Sequence, residues 1–183
     1  CSKFIGIATP CYSEDEAKSY LENWKKDHNQ ARHLCYAYCF GVNQSLYRAN
    51  DDGEPSNSAG TPILGQIHSF GLTNILVGVV RYYGGTKLGV GGLINAYRTA
   101  AKGAVENGII IEKELRQFYT FTFDYEDMPH LMNIAKQPNV EIIHQAFGDC
   151  CELTLNVAIE NKLQLMEQLN PFKSLKTINL GIK

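Results

Sequence analysis

The arrangement of the whole chain follows from residues 48–92, which read RANDDGEPSNSAGTPILGQIHSFGLTNILVGVVRYYGGTKLGVGG. This stretch begins with an acidic turn (residues 50–56) and ends with a glycine-rich loop (residues 84–92). The apolar run over residues 74–83 predicts a strand that is covered on both faces of its sheet. Because binding residues concentrate on loops held by a rigid scaffold, two such loops at one end of the sheet predict the position of a site.

The elements on either side of this stretch are predicted by periodicity and by helix-end signals. Ser13 and Glu16 form a capping box, and the apolar positions behind them predict a helix to His28 with Trp24 in the core. Thr61 and Pro62 predict the start of a second helix by capping and proline placement, with Gly71 as its stop. The other predicted elements are strands over residues 2–9, 34–42 and 109–112 and a helix over residues 91–107.

The residues after Arg116 have a different order of predicted strands and helices. Their pattern predicts strands over residues 117–125, 140–147, 151–159 and 175–182, with helices over residues 128–136 and 161–169. The order β-α-β-β-α-β is typical of the ferredoxin-like fold. The sequence therefore predicts an α+β protein of two domains, residues 1–116 and 117–183.

The composition excludes several classes of protein. The 183 residues are 44% hydrophobic with a formal net charge of −2, which argues against disorder and against a surface that coats nucleic acid. Any contact with RNA must come from a local patch. Six cysteines without regular spacing predict free thiols in a reducing compartment, and hence a cytoplasmic protein. No apolar run has the length of a membrane span, so no membrane association is predicted.

The glycine-rich loop matches neither of the two named phosphate motifs. Val90 and Gly91 stand where a Walker A motif needs Lys and Ser or Thr, and Ile94 stands where a dinucleotide fingerprint needs glycine. A generic phosphate cradle stays open, with Lys87 at the tip of the loop and Arg98 on the following helix. The alternative is that the glycines only permit close packing between a strand and a helix.

The acidic turn is open to two interpretations. Asp51, Asp52 and Glu54 are close enough in sequence to bind Mg²⁺ or to act as an acid/base pair. Asp-Gly and Glu-Pro are also ordinary turn formers, and this second interpretation is favoured. Zinc binding by His33 with nearby cysteines is not favoured, because the spacing does not fit a paired-ligand site. No metal or cofactor is predicted.

The motifs RANDDGEPSNSAGTPIL and GLTNILVGVVRYYGGTKLGVGGLINAY resemble the signature of the YigZ/Impact family. The resemblance implies an N-terminal domain of the ribosomal-protein-S5-domain-2 type and a C-terminal ferredoxin-like domain similar to the last domain of elongation factor G. It also implies a link to translational control, as in the eukaryotic Impact proteins. From this resemblance and the two loops we predict these binding residues: Asp51, Asp52, Glu54, Ser56, Arg81, Tyr82, Gly84, Gly85, Lys87, Gly89, Gly91, Gly92 and Arg98.

Three functional hypotheses follow. The first is a translation-linked regulator that binds RNA, the ribosome or a translation-associated protein through the loops at residues 50–60 and 84–92. The second is a hydrolase or phosphate-handling enzyme with His33, Asp52 and Glu54 as candidate catalytic residues and Lys87 as the anion clamp. The third is a regulator that binds only proteins and performs no small-molecule chemistry. The sequence leaves the ligand and the oligomeric state open.

Overall fold

The chain divides into two compact units, Cys1–Ile111 and Glu112–Lys183. A computed structural model describes residues 2–85, 87–148 and 150–182. Each unit contains one four-stranded antiparallel sheet with helices, so the predicted α+β class with two sheets is confirmed. The division after Arg116 stays a prediction, and in the structure Arg116 begins the first strand of the second unit.

The first unit has seven helices and strands in its described residues, and its strands lie in the order β1-β4-β2-β3. Their bounds are β1 Lys3–Pro10, α1 Glu14–Asp27, β2 His33–Phe40, β3 Leu46–Asn50, α2 Gly60–Ser69, β4 Ile75–Tyr82 and α3 Gly89–Glu106.

The central strand β4 is buried on both faces, as its apolar run predicts. Val77 and Val79 contribute to a core with residues of α2 and α3 on one face. Leu76 lies on the other face, in a smaller core against which Trp24 of α1 packs. The Trp24 ring lies so close to Gly78 that a Cβ atom there would come within 2.7 Å of it. The prediction that Trp24 belongs to the core is therefore confirmed.

Two of the predicted helix ends are confirmed. The Ser13 hydroxyl accepts a hydrogen bond from the Glu16 N–H at 3.2 Å, and the Glu16 carboxylate reaches back to the Tyr12 N–H at 2.8 Å. Gly71 follows Phe70, the C-cap residue of the second helix, with a φ of +63°, the left-handed conformation that glycine adopts most readily at a helix end.

Two short segments differ from the prediction. Residues 46–50 form β3, an exposed edge strand that the sequence analysis missed because its side chains do not alternate between buried and exposed positions. The strand predicted over residues 109–112 is wrong: no described strand includes these residues. Ile109 is 91% exposed. The β-branched run predicted a strand from propensity alone, but no neighbouring strand pairs with it.

The second unit has the predicted order of helices and strands. Residues of β5, α4, β6, β7 and α5 form one core, and the strands of the sheet lie in the order β6-β7-β5-β8. The bounds are β5 Arg116–Phe123, α4 Met128–Ala135, β6 Val140–Ala146, β7 Cys151–Ala158, α5 Lys162–Leu169 and β8 Lys176–Ile182. None of the described helices combines the length and apolar character needed to cross a membrane.

The sheet of the first unit brings the two predicted loops to the same end. Both β3 and β4 run antiparallel to β2, so their last residues lie at the same end of the sheet, where β2 begins. The register pairs Asn50 with Tyr36 and Arg81 with His33. The acidic turn, the glycine-rich loop and the start of β2 therefore meet there.

Candidate functional site

Asp51 holds the acidic turn against the start of α2. Its Oδ1 accepts hydrogen bonds from the backbone N–H groups of Ala59 at 3.0 Å and Gly60 at 2.8 Å, and its Oδ2 accepts from Asn57 at 2.9 Å. The first N–H groups of a helix lack partners within the helix, so a carboxylate here acts as a cap. The prediction that Thr61 caps α2 is wrong: its hydroxyl instead donates to the side chain of Asn57.

Asp52 ties the same turn to the start of β2. Its Oδ2 accepts from the Leu34 N–H at 2.7 Å, and its backbone carbonyl accepts from His33 Nδ1 at 2.6 Å. A carbonyl oxygen only accepts, so the ring proton of His33 must lie on Nδ1. In the neutral ring Nε2 is then the basic nitrogen, and it lies 4.0 Å from Glu54 Oε1.

Glu54 lies at the centre of a buried ionic cluster. Its Oε1 accepts from Arg81 Nη1 at 2.5 Å and from the Tyr97 hydroxyl at 2.8 Å. The Glu54 and Arg81 side chains are only 4% and 7% exposed. Such a pair is costly to break, because removal of either partner leaves the other charge buried without compensation.

Cys35 and Tyr97 complete this cluster as neutral groups. The Cys35 thiol donates to the Asp51 carbonyl at 3.0 Å and also lies 3.3 Å from the Tyr97 hydroxyl. Burial raises the pKa of Cys35 to about 12 and raises the pKa of Tyr97 as well, with the hydrogen bond to Cys35 as the next cause. Since the thiolate is the nucleophilic form, Cys35 is a structural thiol.

An aromatic and cationic surface lies where β4 ends. The Tyr83 ring is 43% exposed, and the guanidinium carbons of Arg32 and Arg81 each lie 5.4 Å from its centroid. The Tyr82 hydroxyl is 2.8 Å from His28 Nδ1. Arg32 and His28 were not among the predicted residues. Their position just before β2, which pairs with β4, was the signal that could have found them.

The glycine-rich loop is open to solvent. Gly84, Gly85, Gly89 and Gly91 are exposed, Gly92 is half-buried, and Thr86 lies outside the described residues. Lys87 and Arg98 are exposed and make no hydrogen bond or ion pair within the described part of the chain. The loop is fastened at one described point, where the Gly84 N–H donates to the Ser2 hydroxyl at 3.3 Å. The N-cap residue of α3, Leu88, supplies no side-chain hydrogen bond.

The predicted residues thus fall into two sets. His33, Asp51, Asp52, Glu54 and Arg81 form one connected network. Ser56, Tyr82, Lys87, Arg98 and the loop glycines lie outside it. In residues 2–85, 87–148 and 150–182, no group of three or more His, Cys, Asp or Glu side chains is placed to hold a metal ion. The carboxylates of Asp51 and Asp52 accept backbone N–H groups, which favours the interpretation of the acidic turn as a structural element.

Comparison with known proteins places the chain in a family. The profile of the Impact N-terminal domain matches residues 1–105, more than half of the 183 residues. The chain belongs to the IMPACT family. The predicted resemblance is thereby confirmed.

Several IMPACT family members are similar over most of the chain. The member YigZ of Escherichia coli strain K12 is 33% identical over 151 residues, which cover 80% of this chain and 74% of YigZ. The member YvyE of Bacillus subtilis strain 168 is 38% identical over 136 residues, 74% of this chain and 63% of YvyE. A member from Thermus thermophilus, described as lying in the pol 5′ region, is 46% identical over 104 residues, 57% of this chain and 55% of its own. The chain thus spans less than two thirds of the Bacillus and Thermus relatives.

A solved structure has the same overall fold. It is described as the crystal structure of a hypothetical protein, and it matches with a TM-score of 0.71 and 28% sequence identity. The match covers 97% of this chain and 88% of the other. The match therefore includes both units of this chain.

Proposed function

We propose that this IMPACT-family protein is a translation-linked regulator that binds RNA, free or on the ribosome, through the end of β4 and the glycine-rich loop. The observation that carries the proposal is the exposed Tyr83 ring beside the Arg32 guanidinium. Proteins that bind single-stranded RNA stack bases on exposed aromatic rings and track the backbone with cations. Tyr83 and Arg32 supply both kinds of contact on one surface.

The glycine-rich loop extends this surface. Lys87 and Arg98 are exposed and carry charges that no described side chain neutralises. A positively charged loop without side chains at its glycines lets an RNA backbone approach the protein backbone closely. The net charge of −2 limits the contact to a few phosphates.

In this proposal the acidic turn is the scaffold of the surface and makes no contact with RNA. Glu54 fixes Arg81, and Arg81 in turn lies against the Tyr83 ring. The turn therefore sets the position of the ring through a buried ion pair.

The two domain assignments are part of the same proposal. The β-α-β-β-α-β order of the second unit, with its first and third strands at the centre of the sheet, supports the ferredoxin-like assignment. The family resemblance supports the ribosomal-protein-S5-domain-2 assignment for the first unit, with domains at residues 1–116 and 117–183. The described cysteines, all unbridged, are consistent with a cytoplasmic protein; Cys1 lies outside the described residues.

The proposal is tested by co-sedimentation with ribosomes on sucrose gradients at low and high salt. We expect the intact protein to co-migrate with ribosomal particles at low salt and to dissociate at high salt, because phosphate contacts are lost to counterions. The Tyr83→Ala/Lys87→Ala variant should stay at the top of the gradient. The matched variant Tyr125→Ala/Lys173→Ala, which removes one exposed tyrosine and one exposed lysine from the second unit, should behave as the intact protein.

Either of two results would contradict the proposal. Intact protein at the top of both gradients would contradict binding to RNA on the ribosome, and titration with a short single-stranded RNA tests binding to free RNA. Co-migration that high salt leaves unchanged, or that Tyr83→Ala/Lys87→Ala does not weaken, would indicate contact with a ribosomal or translation-associated protein through another surface.

One observation favours the hydrolase as a second candidate. The Asp52 carbonyl holds the proton of His33 on Nδ1, which leaves Nε2 as a positioned base next to Glu54. Against it, Lys87 contacts none of these groups within the described residues. The test is a screen of phosphate and ester substrates with His33→Gln as the control, and turnover that survives this change would exclude the candidate.

A further inference from the structure

A cavity of about 250 Å³ lies beside the aromatic surface, in the segment that connects α1 to β2. Trp24, Leu34 and Val80 supply its apolar wall. Its polar lining comes from nitrogen-bearing side chains: Lys25, His28, Asn29, Arg32 and His33. His33 and Asp52 of the hydrolase hypothesis also line this cavity, and the proposed RNA surface touches it at Arg32 and at His28.

The cavity carries an excess of positive charge. Lys25 and Arg32 are cationic at neutral pH, and His28 adds a ring that can donate a hydrogen bond, whereas His33 already donates its Nδ1 proton to the Asp52 carbonyl. Asp52 is the one carboxylate in the lining. Its Oδ2 accepts from the Leu34 N–H, and its Oδ1 lies 3.9 Å from Lys25 Nζ. The lining of the cavity therefore has more hydrogen-bond donors than unoccupied hydrogen-bond acceptors.

The size and the polar lining of the cavity indicate which class of ligand it can bind. Pockets for drug-sized molecules hold roughly 300–1,000 Å³, so this one has room for a small anion or a single sugar phosphate. The ammonium, guanidinium and imidazole groups in this lining are the types of donor that bind the charged oxygens of a phosphate. The same positive charge excludes a metal cation.

The cavity is connected to the RNA surface by two contacts. Arg32 lines the cavity and also lies over the Tyr83 ring. His28 lines the cavity and is hydrogen-bonded to the Tyr82 hydroxyl. A strand whose base stacks on Tyr83 would thus carry its neighbouring phosphate past Arg32.

We propose that this cavity is a phosphate-binding site, and that in the proposed RNA complex it holds one phosphate of the strand. The second half of this inference rests on the proposed function. The first half stands on the cavity alone, so inorganic phosphate and ribose 5-phosphate are ligands for the same site. The residues that hold the phosphate are Lys25, His28 and Arg32.

Trp24 makes the site directly observable, because it is the only tryptophan of the chain and lines the cavity. The full-length protein is titrated with inorganic phosphate and with ribose 5-phosphate at constant ionic strength, and Trp24 fluorescence is recorded. A short single-stranded RNA is titrated in parallel, with its own fluorescence anisotropy as the readout.

We expect saturable changes in Trp24 fluorescence with both phosphates. Lys25→Ala/His28→Ala should weaken the binding of phosphate and of RNA by about tenfold, the loss of one or two charged hydrogen bonds. Neither residue is changed in the Tyr83→Ala/Lys87→Ala variant of the sedimentation test. The matched variant Lys18→Ala/His130→Ala removes one lysine and one imidazole outside the cavity and should bind both ligands as the intact protein does.

The possible results separate this inference from the proposed function. RNA that binds the intact protein and Lys25→Ala/His28→Ala equally well overturns the second half of the inference and leaves the proposed function standing, and phosphate that also binds both proteins equally well overturns the first half. If phosphate binds the intact protein, the variant binds it more weakly and RNA does not bind at all, the phosphate site is supported. RNA is then not the source of the phosphate, and the proposed function is overturned. The absence of any binding overturns both.

Discussion

The acidic turn and the glycine-rich loop lie at the same end of one sheet, yet they differ in how their polar groups are used. In the turn, Asp51 and Asp52 accept hydrogen bonds from backbone N–H groups of α2 and β2, and Glu54 is buried against Arg81. In the loop, the described glycines and Lys87 are open to solvent. The turn is thus an internal framework, and the loop is a free surface.

This difference teaches how to assign function to charged residues near a site. A carboxylate whose oxygens are occupied by N–H groups stabilises the fold and has little capacity left for a metal ion or a substrate. An exposed cation without a partner contributes little to stability and is available to a ligand. We therefore expect changes in the turn to cost stability and changes in the loop to cost binding.

The largest effect is expected for Glu54→Gln. This change leaves the Arg81 guanidinium buried without a counter-charge, which should lower the free energy of unfolding by about 3–5 kcal/mol. Urea denaturation followed by circular dichroism measures it. Glu106→Gln is the matched control, because Glu106 is an exposed partner of Lys102 and should change stability by less than about 0.5 kcal/mol.

A second variant checks the cause of that loss. Combining Glu54→Gln with Arg81→Met removes both charges, so the double variant should be more stable than the sum of the two single losses predicts. Strict additivity would show that the two side chains are not coupled, and the turn could then not be a framework for Arg81.

The next prediction is that alanine substitutions of the two neighbouring aspartates differ in their cost to stability. Asp51→Ala removes the acceptor of three backbone N–H groups and should lower stability by about 2–3 kcal/mol. Asp52→Ala removes the side-chain acceptor of the Leu34 N–H and should cost about 1 kcal/mol. Equal losses in urea denaturation, or a larger loss for Asp52→Ala, would contradict the capping role of Asp51.

The last prediction compares glycines at the starts of α2 and α3. A Cβ atom at Gly60 would come within 2.5 Å of the Asn50 backbone nitrogen, whereas one at Gly91 would meet nothing within 4 Å. Gly60→Ala should therefore cost about 1–3 kcal/mol, and Gly91→Ala should stabilise the protein by up to about 1 kcal/mol. Thermal unfolding of the two variants measures both. A destabilising Gly91→Ala would mean that the loop is packed and not free.

Much of the fold was predictable because local patterns report local interactions. The capping box at Ser13, the glycine stop at Gly71 and the doubly buried strand β4 follow from short-range spacing. The two segments that the sequence analysis did not predict correctly, residues 109–112 and β3, have one common cause. Residues 109–112 have the composition of a strand but no strand beside them, and β3 forms because β2 offers an edge. Whether a neighbouring strand is present to pair with the segment decides both cases.

The candidate site was predictable in place but not in detail. The spacing of the two loops around β4 indicated one end of the sheet, and the register confirms that both loops leave from it. The sequence could not distinguish a cap from a ligand group, since Asp51, Asp52 and Glu54 lie in one short turn. Nor did it point to Lys25, His28 and Arg32, which line the cavity from a segment without any motif.

The sequence by itself determined the IMPACT family, the α+β class and the order of most helices and strands, because each depends on residue types at short, regular spacings. Only the tertiary structure decided what the charged residues do. Glu54 meets Tyr97 across 43 positions and Arg81 across 27, and Asp51 meets the start of a helix that lies beyond its own turn. Burial and hydrogen-bond partners set the role of a charge, and both arise only when distant segments pack together.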